Sequence, residues 1–337
     1  MQTLVDTAMD DRLYEQECKA QMLNAIALLK DLCPGRRCGK SETVNIAATI
    51  PPSRPVLRWH GGKWLLAPWI ISHFPPHRVY VEPYGGAGSV LMRKPRSYAE
   101  VWNDLDDSVV NLFRILRSDQ ADELVRRIRL TPFARTEFDK TSDPLPLDPM
   151  EAARHLVLRS FMGFGSNAHG RSTGFRANSN RSGTTPAHDW TNYPDALMAI
   201  IGRLAGVVIE NRDAVKLMAQ QDGPETLFYV DPPYVWSTRG DESPDYVHEM
   251  DDGQHSDLLA FLPTLEGMVI LSGYPNAMYD RALPTWWRVE REALADGARK
   301  RTEVLWINPA ARAAVEAEKA QHDMFAVSNS PADRGGE

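Results

Sequence analysis

Asp231, Pro232, Pro233 and Tyr234 close the apolar strand candidate Leu227–Asp231. Two prolines carry no N–H donors and stiffen a turn. Asp231 and the Pro232 carbonyl therefore form a fixed pair of acceptors, with Tyr234 beside them. An exocyclic amine on a heteroaromatic base has two N–H groups that fit such a pair. Its lone pair is delocalised into the ring, so it is a poor nucleophile. Two acceptors favour a more tetrahedral nitrogen that can attack an electrophilic methyl. The Tyr234 ring offers a face on which a flipped base stacks. The bland reading of the same four residues is a rigid turn capping a buried strand.

A second constellation, VYVEPYGGAGSVLM at 79–92, is a strand running into a glycine loop and a helix start. Gly85, Gly86 and Gly88 let the backbone turn sharply and approach a ligand closely. Ala87 interrupts a strict G-x-G-x-x-G, and Glu82-Pro83-Tyr84 precedes the glycines, which argues against a nicotinamide cofactor. In EVWNDLD at 100–106, Asp104 lies about 20 residues past the loop, where an acid accepts from ribose hydroxyls. Asp106 or Asp107 reads instead as a helix N-cap. In LRWHGGKWLLAPWI at 57–70, Trp59 is a packing surface for a ligand and Lys63 a partner for a carboxylate; a packed helix entrance is the plain alternative.

These motifs need a scaffold. After Pro55, short apolar strand candidates alternate with helices: Val79–Glu82, Tyr98–Trp102, Gly206–Glu210, Leu227–Asp231, Met268–Ser272, Arg288–Glu292 and Glu303–Ile307. The alternation predicts a doubly wound, mostly parallel, Rossmann-like α/β sheet. The last two strands have no helix between them, so they form an antiparallel edge pair. Helices are expected at Asp11–Leu32, Ser108–Ser118, Asp195–Leu204 and Gln254–Leu262. Residues 1–55 form an extension, 56–113 and 196–310 the main domain, 114–195 an inserted subdomain and 311–337 a tail.

The chain has 337 residues, 43% of them hydrophobic, with no apolar run long enough to span a membrane and no secretory signal. Cys18, Cys33 and Cys38 suit a reducing cytoplasm. GRRCGKS lacks the first glycine of a P-loop, and the Cys33/Cys38 pair is half a zinc site at most, so neither a nucleotide loop nor a metal is expected. The net charge is −7, yet Ala152–His188 contains no Asp or Glu and carries Arg154, Arg159, Arg171, Arg176 and Arg181. An acidic protein with one basic segment points to a local polyanion surface.

Together these segments resemble the Dam-type family of DNA adenine-N6 methyltransferases over residues 56 to about 310. The resemblance implies a methyltransferase sheet that binds S-adenosyl-L-methionine. Its implied contacts are Trp59, Lys63, Glu82, Pro83, Tyr84, Gly85, Gly86, Ala87, Gly88, Asp104, Asp213 and Asp231. Asp213, in VVIENRDAVKLM, would accept from the cofactor's adenine. The catalytic D-P-P-Y falls on Asp231, Pro232, Pro233 and Tyr234. The order of donor loop, insertion and D-P-P-Y is the alpha class, and SGYPNAMYD and RTEVLWINP are similar to phage and prophage members. Departures are Tyr84 for Phe and Asp106 for Asn.

The resemblance makes the insertion a target-recognition subdomain on double-stranded DNA. Arg171, Arg176 and Arg181 are then phosphate or guanine contacts, and GATC is the family-level site. Asn167, Asn178 and Asn180 are adenine readers or turn formers. The expected setting is the cytoplasm of a bacterial or phage-infected cell, close to the nucleoid. Rivals are an N4-cytosine enzyme (where Ser more often replaces Asp231), an inactive DNA-binding fold, and an RNA target. In the tail, Gln321–Phe325 (QHDMF) resembles a sliding-clamp docking motif, against the alternative that Met324 and Phe325 fold back.

Overall fold

The computed structural model describes residues 51–142, 146–165, 173–177, 184–238, 247–295 and 299–328. The helix expected at 11–32, the three cysteines, Arg171, Arg181 and Asn167, Asn178 and Asn180 lie outside them. Seven strands form one sheet: β1 (Val79–Glu82), β2 (Ala99–Asn103), β3 (Val207–Glu210), β4 (Thr226–Val230), β5 (Met268–Gly273), β6 (Trp287–Ala295) and β7 (Arg299–Ile307). Their order is β3-β2-β1-β4-β5-β7-β6. The first five are parallel; β7 runs antiparallel to β5, and β6 to β7. This is the doubly wound sheet with an antiparallel edge pair that the strand–helix alternation predicts.

Every residue of β4 and β5 is buried. Central parallel strands are covered on both faces, which is why they read as continuous apolar runs. One face is covered by α1 (Ala67–Ile71), α2 (Ser89–Arg93) and α3 (Asp107–Leu116) together with the inserted helices. The other is covered by α8 (Ala214–Gln221), α9 (Asp252–Phe261) and α10 (Ala277–Ala282). A C-terminal helix, α11 (Pro309–Ser328), packs on β5. It contains Gln321–Phe325, whose side chains from His322 onward are not described. No helix among the described residues is long and apolar enough to cross a membrane.

The insertion supplies α4 (Ala121–Leu130), α5 (Arg135–Asp139), α6 (Pro149–Met162) and α7 (Pro186–Arg203). Asp148 and Thr185 cap α6 and α7, each followed by proline in the first turn, where its missing N–H costs nothing. Leu124, Leu156, Phe161, Trp190 and Tyr193 pack in the same cluster as Trp102 and Phe113. The inserted helices thus share the core of the sheet instead of building their own. Helix α7 runs across residue 195, where the sequence reading ends the subdomain and starts a helix. Pro194 sits inside it. Proline removes one helical hydrogen bond; burial of Trp190, Tyr193 and Leu197 offsets that loss.

Strands β1 and β4 are neighbours at the sheet's centre, and the chain leaves them in opposite directions, β1 toward β2 and β4 toward β5. Ligands of open α/β sheets bind at such a switch point, beyond the carboxyl ends of the strands. The glycine loop follows β1 and Asp-Pro-Pro-Tyr follows β4, so the topology brings both motifs to that crevice.

Candidate active site

Glu82 ends β1 with its side chain buried. Its Oε1 accepts from the Tyr80 hydroxyl at 2.7 Å and from the Leu91 amide in α2 at 2.8 Å. Its Oε2 is buried with no hydrogen-bond partner. Burial pushes this carboxyl up to about 7, against the pull of the two hydrogen bonds and of the Lys94 charge; Asp231 adds a small upward push. An orphaned acid oxygen at a crevice is unusual in a folded protein and calls for a partner.

The loop after Glu82 is held from β2. The Gly85 amide donates to Asn103 O at 2.8 Å, and the Gly86 amide to Asp104 Oδ2 at 2.7 Å. Asp104 Oδ1 accepts from the Asp106 amide at 2.8 Å. A Cβ on Gly85 would lie 2.0 Å from Nε1 of Trp102, which is fully buried and stacked on Phe113 with centroids 4.0 Å apart. Gly86 and Gly88 take left-handed φ values of 47° and 62°, and Trp59 lies against Gly86. The loop's shape therefore demands glycine on steric grounds, as the sequence suggests.

After β4, Asp231 Oδ2 is 2.9 Å from Lys63 Nζ, which also donates to Gly61 O at 2.7 Å. Asp231 Oδ1 is buried without a hydrogen-bond partner. The ammonium fixes one carboxylate oxygen and leaves the other presented. Lys63 also stands 4.7 Å from the Tyr234 ring centroid. The Tyr234 hydroxyl donates to Glu303 Oε2 at 2.8 Å and lies 3.3 Å from Ser272 Oγ. Burial pushes the Tyr234 phenol well up, with the Asp231 and Glu303 carboxylates adding to it.

A cavity of about 390 Å³ joins the two motifs. It is lined by Trp59 and Lys63, by Glu82, Pro83, Tyr84, Gly85, Gly86 and Ala87, and by Asp104, Asp213, Asp231 and Pro233. Across from these, Val247–Met250 and the start of α9 form another wall. The family model for the D12 class of N6 adenine-specific DNA methyltransferases matches residues 59–280, from Trp59 through the whole of this cavity. The chain belongs to this family. Membership of the D12 class implies a methyl donor.

Curated relatives agree. The DNA adenine methylase of Serratia marcescens is 32% identical over 104 residues, covering 27% of this chain and 37% of that protein. The DNA adenine methylase of Escherichia coli K12 is 32% identical over 103 residues, covering 27% and 36%. That of Salmonella typhi is 30% identical over 102 residues, with the same coverage. The chain thus spans a little over a third of the length of these relatives.

Most residues expected from the D12-like motifs meet in the cavity, but not all. Gly88 caps α2, and Tyr234 is 7% exposed beneath Lys63 and outside the cavity lining. Asp106 lines the cavity and caps α3 through the Ser108 amide at 2.8 Å. Asp213 lines the cavity while capping α8 through the Lys216 amide at 2.9 Å. Lys63, expected to hold the methyl donor, pairs here with the carboxylate of Asp231. Arg176 needs correction as a DNA contact. The Gly163–Phe175 bridge turns it under the end of α6, where it is 6% exposed. There its amide donates to Met162 O at 2.8 Å and its guanidinium to Phe161 O at 3.0 Å. These are terminal helix carbonyls, which attract a cation. The sequence reading missed Glu303. The available signal was an acid in phase with the apolar Leu305 and Ile307 of the same strand.

Proposed function

We propose that this protein transfers a methyl group from S-adenosyl-L-methionine to N6 of an adenine flipped out of double-stranded DNA. One observation carries the reading. Asp231, with a buried and unpartnered Oδ1, and Glu82, with a buried and unpartnered Oε2, line one cavity beside a glycine loop crowded against Trp102 and Trp59. The first suits an amine N–H and the second a cationic donor. When bound, S-adenosylmethionine supplies a methyl group already activated on a sulfonium.

The chain's residues do the rest. Glu82 and the Gly85–Gly86 turn hold the donor's amino-acid end, Asp104 its ribose and Asp213 its adenine. Asp231 Oδ1 and the Pro232 carbonyl accept from the two N6 hydrogens and raise the nitrogen's nucleophilicity. Lys63 fixes Asp231 Oδ2, so the free oxygen points one way. Tyr234 supplies a stacking face once the base enters alongside Lys63. The expected setting is the cytoplasm of a bacterial or phage-infected cell. Contact with a sliding clamp through Gln321–Phe325 belongs to the same reading and rests on the residue pattern alone. The deciding experiment is transfer of labelled methyl by the purified chain. Duplex DNA should be labelled; label on RNA alone overturns the proposal.

Glu82 makes donor affinity depend on pH. Its value near 7 lies above the ordinary 4.5, so between those values the folded protein holds a proton that the unfolded chain has lost. The protein alone therefore loses stability as pH rises through that window. A cationic donor favours the carboxylate and expels the proton. Donor affinity should rise from about pH 5 and level off above about 7. Glu82→Gln should bind more weakly and flatten that curve in calorimetric titrations. An unchanged slope removes Glu82 from the donor site.

The basic segment carries the DNA part of the reading. Arg171→Ala with Arg181→Ala should weaken duplex binding and reduce the salt slope by about 2, near one per lost phosphate contact. Arg176→Ala should instead lower the melting temperature and leave the slope alone. Equal slopes for wild type and the double variant move the DNA surface elsewhere.

A further inference from the structure

Tyr234 has no means of fixing its own ring. The Asp-Pro-Pro turn sets its backbone, but the terminal torsion of a tyrosine is soft. Contacts from other elements hold the ring. Glu303 Oε2 accepts its hydroxyl at 2.8 Å, Ser272 Oγ lies 3.3 Å from the same oxygen, and the Tyr274 ring meets it edge-on with centroids 4.5 Å apart. Ser272 and Tyr274 lie in and just beyond β5. Glu303 comes from β7, where Val304 pairs with Gly273 and Leu305 with Ser272. The antiparallel edge pair therefore places Glu303 opposite the end of β5, behind the catalytic turn.

A buried phenol needs only a neutral acceptor, and Ser272 is at hand. The chain nevertheless buries a carboxylate there, 7% exposed. That costs desolvation, opposed by the Lys63 charge and by the phenol hydrogen bond and aggravated by Asp231; burial dominates and pushes the carboxyl up. A charged acceptor makes a bond roughly twice as strong as a neutral one. We propose that Glu303 is a positioning residue, holding the Tyr234 ring by its hydroxyl so that its face is set for the target base. Resting on the function proposed above, this assigns β7, the inner strand of the antiparallel pair, a role in the reaction.

The test uses the full chain, S-adenosylmethionine and duplex DNA. Glu303→Ala should lower kcat by about 10- to 100-fold, the span expected for losing one charged hydrogen bond. Donor dissociation constant and KM for DNA should stay within about twofold, because the bond orients the ring and binds neither ligand. Glu303→Gln keeps an acceptor for the hydroxyl and should recover most of kcat. Tyr234→Phe removes the same bond, so Tyr234→Phe with Glu303→Ala should be no slower than the slower single variant.

Two results overturn the proposal: a folded Glu303→Ala with kcat within about twofold of wild type, or losses that multiply in the double variant. If Glu303→Ala does not fold, Tyr234→Phe, which removes the same bond from the other side, takes its place, and a kcat within about twofold of wild type rejects the role. A normal Glu303→Ala beside a dead Asp231→Ala rejects this role only. A wild type that methylates no adenine takes down the functional reading and this role together.

Discussion

Asp231→Ala is expected to slow methyl transfer by about 10²–10³, the usual cost of losing one positioned polar group aimed at the reacting atom. Asp231 lines the cavity; its Oδ1 is buried and unpartnered, while Oδ2 is held 2.9 Å from Lys63. Donor affinity should change by less than about threefold, since the partner of Oδ1 is the target amine. The variant also leaves Lys63, 5% exposed, without its carboxylate. A drop in melting temperature accompanies the lost rate, because removing one partner of a buried ion pair is costly. Asp231→Asn keeps an acceptor oxygen and should fall between the two. Single-turnover rates check this. Near-normal turnover by folded Asp231→Ala would remove Asp231 from the chemistry.

Gly85→Ala should be the most damaging glycine-to-alanine change among the described glycines. The added carbon would sit 2.0 Å from the indole nitrogen of Trp102, which cannot retreat because it is stacked on Phe113 and fully buried. The loop must move, and the Gly85 bond to Asn103 O and the Gly86 bond to Asp104 move with it. Overpacking typically costs about 1–3 kcal/mol. Here the strained element is also the proposed donor cradle. Donor affinity should fall more than about tenfold, with the melting temperature down by several degrees. Gly223→Ala is the control: its Cβ would find only Thr226 Oγ1 at 3.9 Å. Equal donor affinity in the two variants would show that the glycine loop does not approach the donor.

What the sequence reveals follows from how local each feature is. A strand, its turn and the helix behind it are written in a dozen consecutive residues. The glycine loop, Asp-Pro-Pro-Tyr and the strand–helix alternation of an α/β sheet were therefore readable. The core position of β4 was readable because a strand covered on both faces is apolar throughout. Side-chain direction set by distant contacts was not. Arg176 looked like one more cation in a basic segment. A single bridge between Gly163 and Phe175 decides that it faces the end of α6. The helix expected from Asp195 begins earlier, at Pro186, because the packing of Trp190 and Tyr193 carries it through Pro194. Glu303 meets Tyr234 across 69 residues, a pairing that exists only after β7 is laid against β5. Lys63 and Asp231 were both singled out, yet nothing in their local sequence pairs them.

Nucleoside analysis tests the central claim most directly. Duplex DNA is treated with the full chain and S-adenosylmethionine carrying a labelled methyl group, digested to nucleosides and separated. The account predicts label in N6-methyldeoxyadenosine with the wild-type chain and its loss with Asp231→Ala. Label in N4-methyldeoxycytidine, or donor binding with no labelled nucleoside at all, would contradict it.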